Sequence, residues 1–258
     1  MRTSTSETAS PAITFNDPWK ILKSRAYNYR FNINTGFFAR WGAALEDDPY
    51  RSPYGPEIAD IEISTICGGV NGKLCPYCYK ANTRQGKNMP FDLFKTVIEK
   101  INPHNQLTQA ALGFGATGEE NPALWDICAW LREQNIIPNG TVADITDATA
   151  DKIARYFGAC AVSSHFLTAG NGLCYDNVKR LTDRGMKQVN IHYVLERETA
   201  GNAFRVLRDI KEDSRLAKLN ALVFLSLKSK GRAVNGKNFE ECRKVLALKN
   251  GECPVFEL

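Results

Sequence analysis

Hydrophobic and polar positions alternate along most of the chain, with a period of two residues in some segments and three to four in others. Segment 57–66 has the two-residue period, with Ile61 and Ile63 on one face, and this predicts a half-buried strand. Segment 90–101 carries Phe94 and Ile98 on one stripe, and this predicts an amphipathic helix. The later segments predict strands at 109–114, 136–142, 159–164, 187–195 and 219–227, and helices at 121–134, 146–158, 165–184, 199–210 and 238–248.

The resulting order is six strands, each followed by a helix. Repeated strand–helix units predict an α/β fold with a parallel sheet and right-handed crossovers. Six units form either a doubly wound sheet or a curved, incomplete barrel, and both architectures remain open at this point. A closed barrel needs eight units, and the 258 residues contain only six, so this architecture is excluded.

The N-terminal region differs from this pattern. We assign 1–18 to a disordered tail, because its first part is rich in Ser and Thr. Segment 19–56 is assigned to a β-hairpin over 25–42 and a proline-containing linker, with Asn34-Thr35-Gly36 as the turn. The domain of strand–helix units is 57–258; because the chain ends soon after the sixth predicted helix, we leave a further C-terminal element open.

Seven aromatic and five basic residues lie between positions 19 and 41. Such a composition serves either to pack the hairpin against the rest of the fold or to stack on nucleic-acid bases and meet phosphates. We favour the packing interpretation.

The composition indicates a soluble globular protein, with 43% hydrophobic and 24% charged residues. No run of 18 apolar residues occurs, so we expect no membrane span, and the polar N-terminus predicts a cytoplasmic protein without a secretory signal. The net charge of +5 permits an anionic partner but does not require one.

Three of the eight cysteines, Cys67, Cys75 and Cys78, lie within twelve residues, and the other five are scattered. Scattered cysteines are typical of small buried apolar residues, whereas a cluster of three indicates metal or redox chemistry. A structural zinc site uses four ligands, and no histidine lies within twenty residues of the cluster. Three thiolates on a four-iron cluster would leave one iron open to a small molecule.

The sequence Cys75-Pro-Tyr-Cys78 also occurs as a redox dithiol in glutaredoxins. That interpretation requires the motif to open an amphipathic helix in a thioredoxin-like domain. The residues that follow Cys78 are polar and include a glycine, and Cys67 would have no role. We therefore favour a metal cluster over a dithiol.

Ligands of parallel α/β folds bind at the C-terminal ends of the strands. The cysteines follow the first predicted strand, and a Gly-rich turn, 113–120, follows the second. The fourth strand ends in Ser163-Ser164-His165, and Asn190 and His192 share one face of the fifth. We therefore expect the functional site at this edge of the sheet.

The cysteine motif resembles that of the radical S-adenosylmethionine (SAM) superfamily, whose pattern is CxxxCxxC with an aromatic residue before the last cysteine. Cys67, Cys75 and Cys78 match, with Tyr77 as the aromatic residue, and the resemblance covers about 57–250. The first spacing differs, with seven intervening residues instead of three. Glycines at positions 68, 69 and 72 are expected to let the longer loop fold back.

A second match follows the second strand, where the family carries a Gly-Gly-Glu-Pro-like turn that holds the methionine amino group of SAM. Thr117-Gly118-Glu119-Glu120 matches it in part, and Glu119 takes the position of the family's glutamate. The segment 228–232, Lys-Ser-Lys-Gly-Arg, resembles a Lys-x-x-Gly-Arg turn of some members and would meet a carboxylate or phosphate or be solvated. The residues that the resemblance assigns to cofactor binding are Tyr77, Gly115, Thr117, Gly118, Glu119, Ser163, Ser164, Asn190 and His192.

The resemblance implies a partial (β/α)6 barrel with an N-terminal β-hairpin extension. It also implies an enzyme in which a 4Fe-4S cluster, held by the three cysteines, reductively cleaves SAM to a 5′-deoxyadenosyl radical that abstracts hydrogen from a substrate. The electron donor would be a flavodoxin or ferredoxin. The substrate, a peptide or protein on one hand or a nucleic acid or nucleotide on the other, stays open. The alternatives are a non-enzymatic metal-binding protein and a thiol oxidoreductase that uses Cys75 and Cys78.

Overall fold

The computed structural model describes residues 10–195, 197–228 and 230–235, which form two β-sheets and a layer of helices. The first sheet contains β1 (Ala12–Asn16), β2 (Trp19–Lys23), β3 (Asn28–Asn32) and β4 (Phe38–Trp41). The second contains β5 (Ile58–Glu62), β6 (Gln109–Gly113), β7 (Ile137–Val142), β8 (Ala159–Ser163), β9 (Val189–Leu195) and β10 (Ala221–Ser226). The helices are α1 (Phe91–Ile101), α2 (Leu124–Glu133), α3 (Asp147–Tyr156), α4 (Phe166–Asp183) and α5 (Arg197–Glu212), with short 3-10 turns at Ser214–Leu216 and Gly231–Asn235.

The second sheet confirms the predicted α/β fold. All neighbouring strands are parallel, and their order across the sheet, β5 to β10, is their order along the chain. A doubly wound sheet reverses its strand order near the middle, so this order excludes that architecture. A run of crossovers in one direction places all helices on the same face.

The two faces of the parallel sheet differ in chemistry. On β9, Val189, Ile191 and Tyr193 are buried in the core beneath the helices, whereas Asn190 and His192 on the other face are half-buried. Strand β6 shows the same alternation, with Ala110 and Leu112 buried, and buried residues of β5, β7 and β8 belong to the same core. The face that the helices leave free is therefore the one available to a ligand.

The starts of the helices follow local polar signals in part. Thr146, the first residue of the predicted helix 146–158, caps α3, and its Oγ1 accepts a hydrogen bond from the Thr149 amide. The predicted helix start at Thr199 is wrong, because α5 begins two residues earlier and the Thr199 hydroxyl donates to the Val194 carbonyl. The predicted helix at 238–248 lies outside the described residues. In the described part of the chain, no helix is long and apolar enough to cross a membrane.

The N-terminal sheet is larger than the predicted hairpin. Strands β3 and β4 confirm the hairpin, and β1 and β2 extend it to a four-stranded antiparallel sheet. The assignment of 1–18 to a disordered tail is therefore wrong for Ala12–Asn16, which pair with β2 because Ile13 packs on the apolar core of this sheet. Residues 1–9 lie outside the described part.

The N-terminal sheet packs against the starts of the parallel strands. The Tyr29 hydroxyl donates to the Gln106 carbonyl, and the Lys20 ammonium donates to the Leu107 carbonyl, just before β6. Ile137, the first residue of β7, belongs to the core of the N-terminal sheet. The aromatic residues of this region thus serve packing, as favoured from the sequence, at the end of the sheet opposite to the cysteines.

Candidate metal and cofactor site

The three clustered cysteines lie on one loop, residues 63–90, which joins β5 to α1 and is called the cysteine loop below. Bridges of Ile66 with Thr83 and of Ser64 with Asn88 join its outgoing and returning halves. Gly86 makes this closure possible, since a Cβ there would lie 2.2 Å from the Thr65 backbone. The loop is therefore a defined structure at the C-terminal edge of the parallel sheet.

The long spacing between the first two cysteines is folded into a tight turn. Val70 and Lys73 exchange both backbone hydrogen bonds at 3.0 Å, and Asn71 and Gly72 between them have positive φ angles of 51° and 71°. This is the geometry that an Asn-Gly pair favours in a two-residue hairpin turn. Gly69 also has positive φ, and a Cβ there would lie 2.0 Å from the Lys73 carbonyl oxygen. The turn removes four residues from the path between Cys67 and Cys75.

Some groups around the cysteine sulfurs stabilise a thiolate, and others oppose it. The Gly69 amide donates to Cys67 Sγ at 3.4 Å. Burial, with smaller contributions from the charges of Cys78 and Cys67, raises the pKa of Cys75 to about 11, and the Arg232 guanidinium opposes this rise. The three thiols thus lie within electrostatic range of one another. Among the described side chains, no group of three or more His, Cys, Asp or Glu is arranged to hold a metal ion.

The scattered cysteines have a different role. Cys128, Cys160 and Cys174 are at most 2% exposed and pack in the core beneath the helices. Burial raises the pKa of Cys160 and of Cys174 to about 12, so both stay protonated thiols. This confirms the interpretation of these three as small apolar residues, while Cys242 and Cys253 lie outside the described residues.

His165, at the end of β8, contacts the cysteine loop and was not assigned a role from the sequence. Its Nδ1 lies 3.5 Å from Cys75 Sγ and 3.4 Å from the Tyr77 hydroxyl, and its ring stacks on Tyr77. The side chain is 8% exposed, and burial lowers its pKa to about 4, so the imidazole is neutral. The position of His165 at the end of a predicted strand indicated that it lies at the functional edge of the sheet. Its contact with Cys75 could not be predicted, because that distance depends on the tertiary fold.

The turn after β6 is organised by Glu120. The Glu120 carboxylate accepts hydrogen bonds from the amides of Thr117 at 2.9 Å and Gly118 at 3.0 Å. Glu119, the residue matched to the family's glutamate, is exposed and accepts a hydrogen bond from the Thr149 hydroxyl. A Cβ on Gly115 would lie 2.6 Å from the Ile66 carbonyl oxygen, so this turn is in close contact with the cysteine loop.

The remaining predicted site residues lie at two levels along the sheet. Ser163 pairs with His192 near the C-terminal edge, and Ser164 lines a small cavity with Tyr77. Burial lowers the pKa of His192. Asn190 lies two residues, about 7 Å, nearer the start of β9 and accepts a hydrogen bond from Asn220. The structure therefore places Ser164 beside Tyr77 of the cysteine loop and Ser163 level with His192 at the same edge, whereas Asn190 lies further from that edge.

The segment after β10 meets the cysteine loop rather than open solvent. Arg232 donates from its backbone amide to the Cys78 carbonyl at 3.0 Å and from Nε to the Cys75 carbonyl at 2.8 Å.

The dithiol interpretation of Cys75 and Cys78 is not favoured, because no helix follows Cys78 until α1 begins at Phe91.

Comparison with solved structures finds similar folds. The chain aligns with SuiB of Streptococcus suis bound to the precursor peptide SuiA at 12% identity and a TM-score of 0.64, covering 92% of this chain and 70% of that one. It aligns with SuiB bound to S-adenosylmethionine at 13% identity and a TM-score of 0.54, covering 76% of this chain and 48% of that one. No protein-family model and no curated protein matches the chain. At these identities the likeness shows a shared fold.

Proposed function

We propose that this protein is a radical SAM enzyme. The observation that carries the proposal is the cysteine loop, in which the turn Val70–Lys73 removes four residues from the Cys67–Cys75 spacing and leaves three. The resulting path matches the CxxxCxxC pattern that the sequence resembles. The loop lies at the C-terminal edge of a parallel sheet, where ligands of such folds bind, and the fold is shared with SuiB, which has been solved with S-adenosylmethionine.

The loop carries the thiol donors that the family's cofactor uses, although the three sulfurs are not gathered into a metal site among the described side chains. Cys67, Cys75 and Cys78 would hold a 4Fe-4S cluster, and three thiolates would leave one iron for the amino and carboxylate groups of SAM. When bound, this pair supplies a 5′-deoxyadenosyl radical that removes hydrogen from a substrate. The amide of Gly69 donates to the Cys67 sulfur, and the imidazole of His165 shields Cys75 from water.

The turn after β6 would hold the methionine end of SAM. Its backbone is fixed by Glu120, so the carboxylate of Glu119 remains as the acidic group for the amino nitrogen. The half-buried Ser163 and His192 would line the chamber beside it. The electron would come from a second protein such as a flavodoxin or ferredoxin.

We infer that the parallel sheet curls into a partial (β/α)6 barrel. In a flat sheet the edge strands β5 and β10 would lie five strand spacings, or about 24 Å, apart. Yet Arg232, after β10, donates to the carbonyls of Cys75 and Cys78 in the loop after β5. His165, after β8, reaches the same loop. Curvature of the sheet brings these strand ends to one centre.

We propose a peptide as the substrate class. The alternative, a nucleic acid, would be bound by the aromatic and basic residues at 19–41. These residues belong to the N-terminal sheet, which packs at the opposite end of the parallel sheet from the cysteines, and Tyr27, Tyr29 and Phe31 are at most 1% exposed. The peptide bound in the SuiB structure supports the same choice.

The test is anaerobic reconstitution of the full chain with iron and sulfide, followed by an assay of 5′-deoxyadenosine release from SAM and dithionite. We expect about four irons per chain, a broad absorption band near ~400 nm and SAM cleavage. Separate Ser substitutions at Cys67, Cys75 and Cys78 should each abolish the cluster. Cys128→Ser and Cys160→Ser are the matched controls and should retain it, because both residues lie in the core.

A bound zinc ion in place of an iron cluster would contradict the proposed function. His165 adds an imidazole nitrogen beside Cys75, and three cysteines with one histidine are a common structural zinc set. A colourless protein that carries one zinc, lost in His165→Ala, would therefore establish a structural metal site and contradict the enzyme.

A further inference from the structure

We propose that Arg232 is a positioning residue that holds the cysteine loop through its backbone carbonyls. The guanidinium donates from Nε to the Cys75 carbonyl and from Nη1 to the Asn82 carbonyl, both at 2.8 Å. The backbone amide of Arg232 donates to the Cys78 carbonyl at 3.0 Å. One residue thus binds the loop at three points, two of them on the proposed cluster ligands. Its effect on the cluster rests on the proposed function, whereas its hold on the loop does not.

The residue before Arg232 is shaped for the same contact. Gly231 has a φ of 61°, and a Cβ there would lie 2.5 Å from the carbonyl oxygens of both Cys78 and Tyr79. A side chain at this position would push the segment off the loop. Lys228 adds a further contact, with its ammonium 4.5 Å from the centre of the Tyr79 ring.

The geometry of the guanidinium makes the contact rigid. Its planar N–H groups point in fixed directions, so they set the position of Cys75 relative to Asn82. Asn82 is itself anchored, because its amide donates to the Glu62 carboxylate on β5 at 2.9 Å. A chain of contacts from β5 through Asn82 and Arg232 therefore fixes where the Cys75–Cys78 segment lies.

For Arg232 alone, this corrects the interpretation of 228–232 as a turn that meets a carboxylate or phosphate or is solvated, since Lys228 and Lys230 are exposed. Two guanidinium nitrogens of Arg232 are engaged by carbonyls of the protein itself, and its side chain is half-buried. Because β5 and β10 are the two edges of the parallel sheet, the contact also joins these edges.

The first test uses the metal-free full chain, so that it does not depend on a cluster. Arg232→Met keeps the aliphatic stem and removes the donors, and Arg232→Lys keeps one donor group. The rate of alkylation of Cys75 and Cys78 is measured by peptide mass spectrometry. We expect it to rise on the order of tenfold in Arg232→Met, the factor given by the loss of about one charged hydrogen bond, and less in Arg232→Lys.

Two controls make the result specific. Arg215→Met removes another half-buried arginine, whose ion pairs with Asp213 and Asp176 do not involve the cysteine loop, and should leave the rates unchanged. Cys128, which is fully buried, should stay unlabelled in every variant and so reports that the core is folded. If Cys128 becomes labelled in Arg232→Met, the comparison of Arg232→Lys with the original chain decides the question.

The second test uses the reconstituted protein. Arg232→Met should release iron to a chelator faster than the original chain and should alter the EPR spectrum of the reduced cluster, with partial rescue in Arg232→Lys. Alkylation of Cys75 and Cys78 at unchanged rates in a folded Arg232→Met would overturn the positioning role. Failure of the original chain to bind iron would refute the proposed function instead, while the alkylation rates still decide the role of Arg232.

Discussion

The Nδ1 atom of His165 lies 3.5 Å from the sulfur of Cys75, although 90 residues separate the two along the chain. His165 lies two residues after the end of β8, and Cys75 belongs to the loop after β5. The contact places an imidazole nitrogen beside a proposed cluster ligand, and in the tautomer with a proton on Nδ1 this nitrogen donates to the sulfur. Hydrogen bonds to cluster sulfurs raise the reduction potential, because they stabilise the added negative charge.

We therefore predict that His165→Ala makes the midpoint potential of the reconstituted cluster more negative. His165→Asn retains an amide donor near the position of Nδ1 and should give a smaller shift. Redox titration followed by EPR measures the potentials. Equal potentials in the original chain and both variants, at equal iron content, would show that the histidine only fills space beside Cys75.

The turn Val70–Lys73 should be dispensable for cluster binding. Its deletion joins Gly69 to Leu74, whose backbone already lies beside it, and restores a spacing of three residues between the first two cysteines. We predict unchanged iron content, together with a loss of about 2 kcal/mol in the free energy of unfolding, because Val70 is fully buried.

Gly69→Ala in the full-length loop is the matched comparison for this deletion. The added methyl group would collide with the Lys73 carbonyl at a residue that has positive φ. One methyl group should therefore lower iron content more than removal of four residues. Iron analysis and thermal unfolding measure both variants. A lower iron content in the deletion variant than in Gly69→Ala would contradict the role given to the turn.

The neighbouring glutamates of the turn after β6 should separate into a structural and a binding residue. Glu120→Ala leaves the amides of Thr117 and Gly118 without their acceptor, so we predict a loss of about 1–3 kcal/mol in the free energy of unfolding. Glu119→Ala should change stability by less than about 0.5 kcal/mol, because the residue is exposed.

The SAM affinity should show the opposite order. We predict that Glu119→Ala weakens SAM binding about tenfold, the effect of losing one charged hydrogen bond. Calorimetry on the reconstituted protein measures this, and Thr149→Val, which removes the hydroxyl that contacts Glu119, is a useful companion. Unchanged affinity in Glu119→Ala would remove Glu119 from the proposed SAM site.

Lys20 should make the stability of the protein depend on pH above neutrality. Its ammonium group is 1% exposed, and burial lowers its pKa from 10.5 to about 7. Between these two values the unfolded chain binds a proton at Lys20 that the folded chain has released, so this residue makes the free energy of unfolding rise with pH. The slope is at most about 1.4 kcal/mol per pH unit.

Denaturant unfolding of the original chain and of Lys20→Met at pH 7, 8, 9 and 10 measures this contribution. The difference between the two isolates Lys20 from the other groups that titrate in the same range. We expect the original chain to gain stability relative to Lys20→Met as the pH rises. A difference that is constant with pH would show that Lys20 keeps its ordinary pKa among its carbonyl acceptors.

Local patterns in the sequence determined the α/β class, the six parallel strands and the one helix cap set by its own hydroxyl, Thr146. Period and capping act over a few residues, so they can be recognised without the tertiary structure. The cysteine loop and its glycines were found in the same way, because the Asn71-Gly72 turn needs only neighbouring residues. The rule that ligands meet at strand ends then predicted the edge where the loop lies.

Only the tertiary structure decided which residues share that edge. Asn190 has the predicted face on β9, but the strand register places His192, and not Asn190, level with Ser163 at the end of β8. His165 and Arg232 reach Cys75 through the order of the strands and the approach of the two sheet edges, which are long-range contacts that no local pattern encodes. Glu120, rather than Glu119, holds the turn because the backbone reverses its direction at Gly118, where φ is positive. This path of the backbone is likewise a property of the tertiary structure.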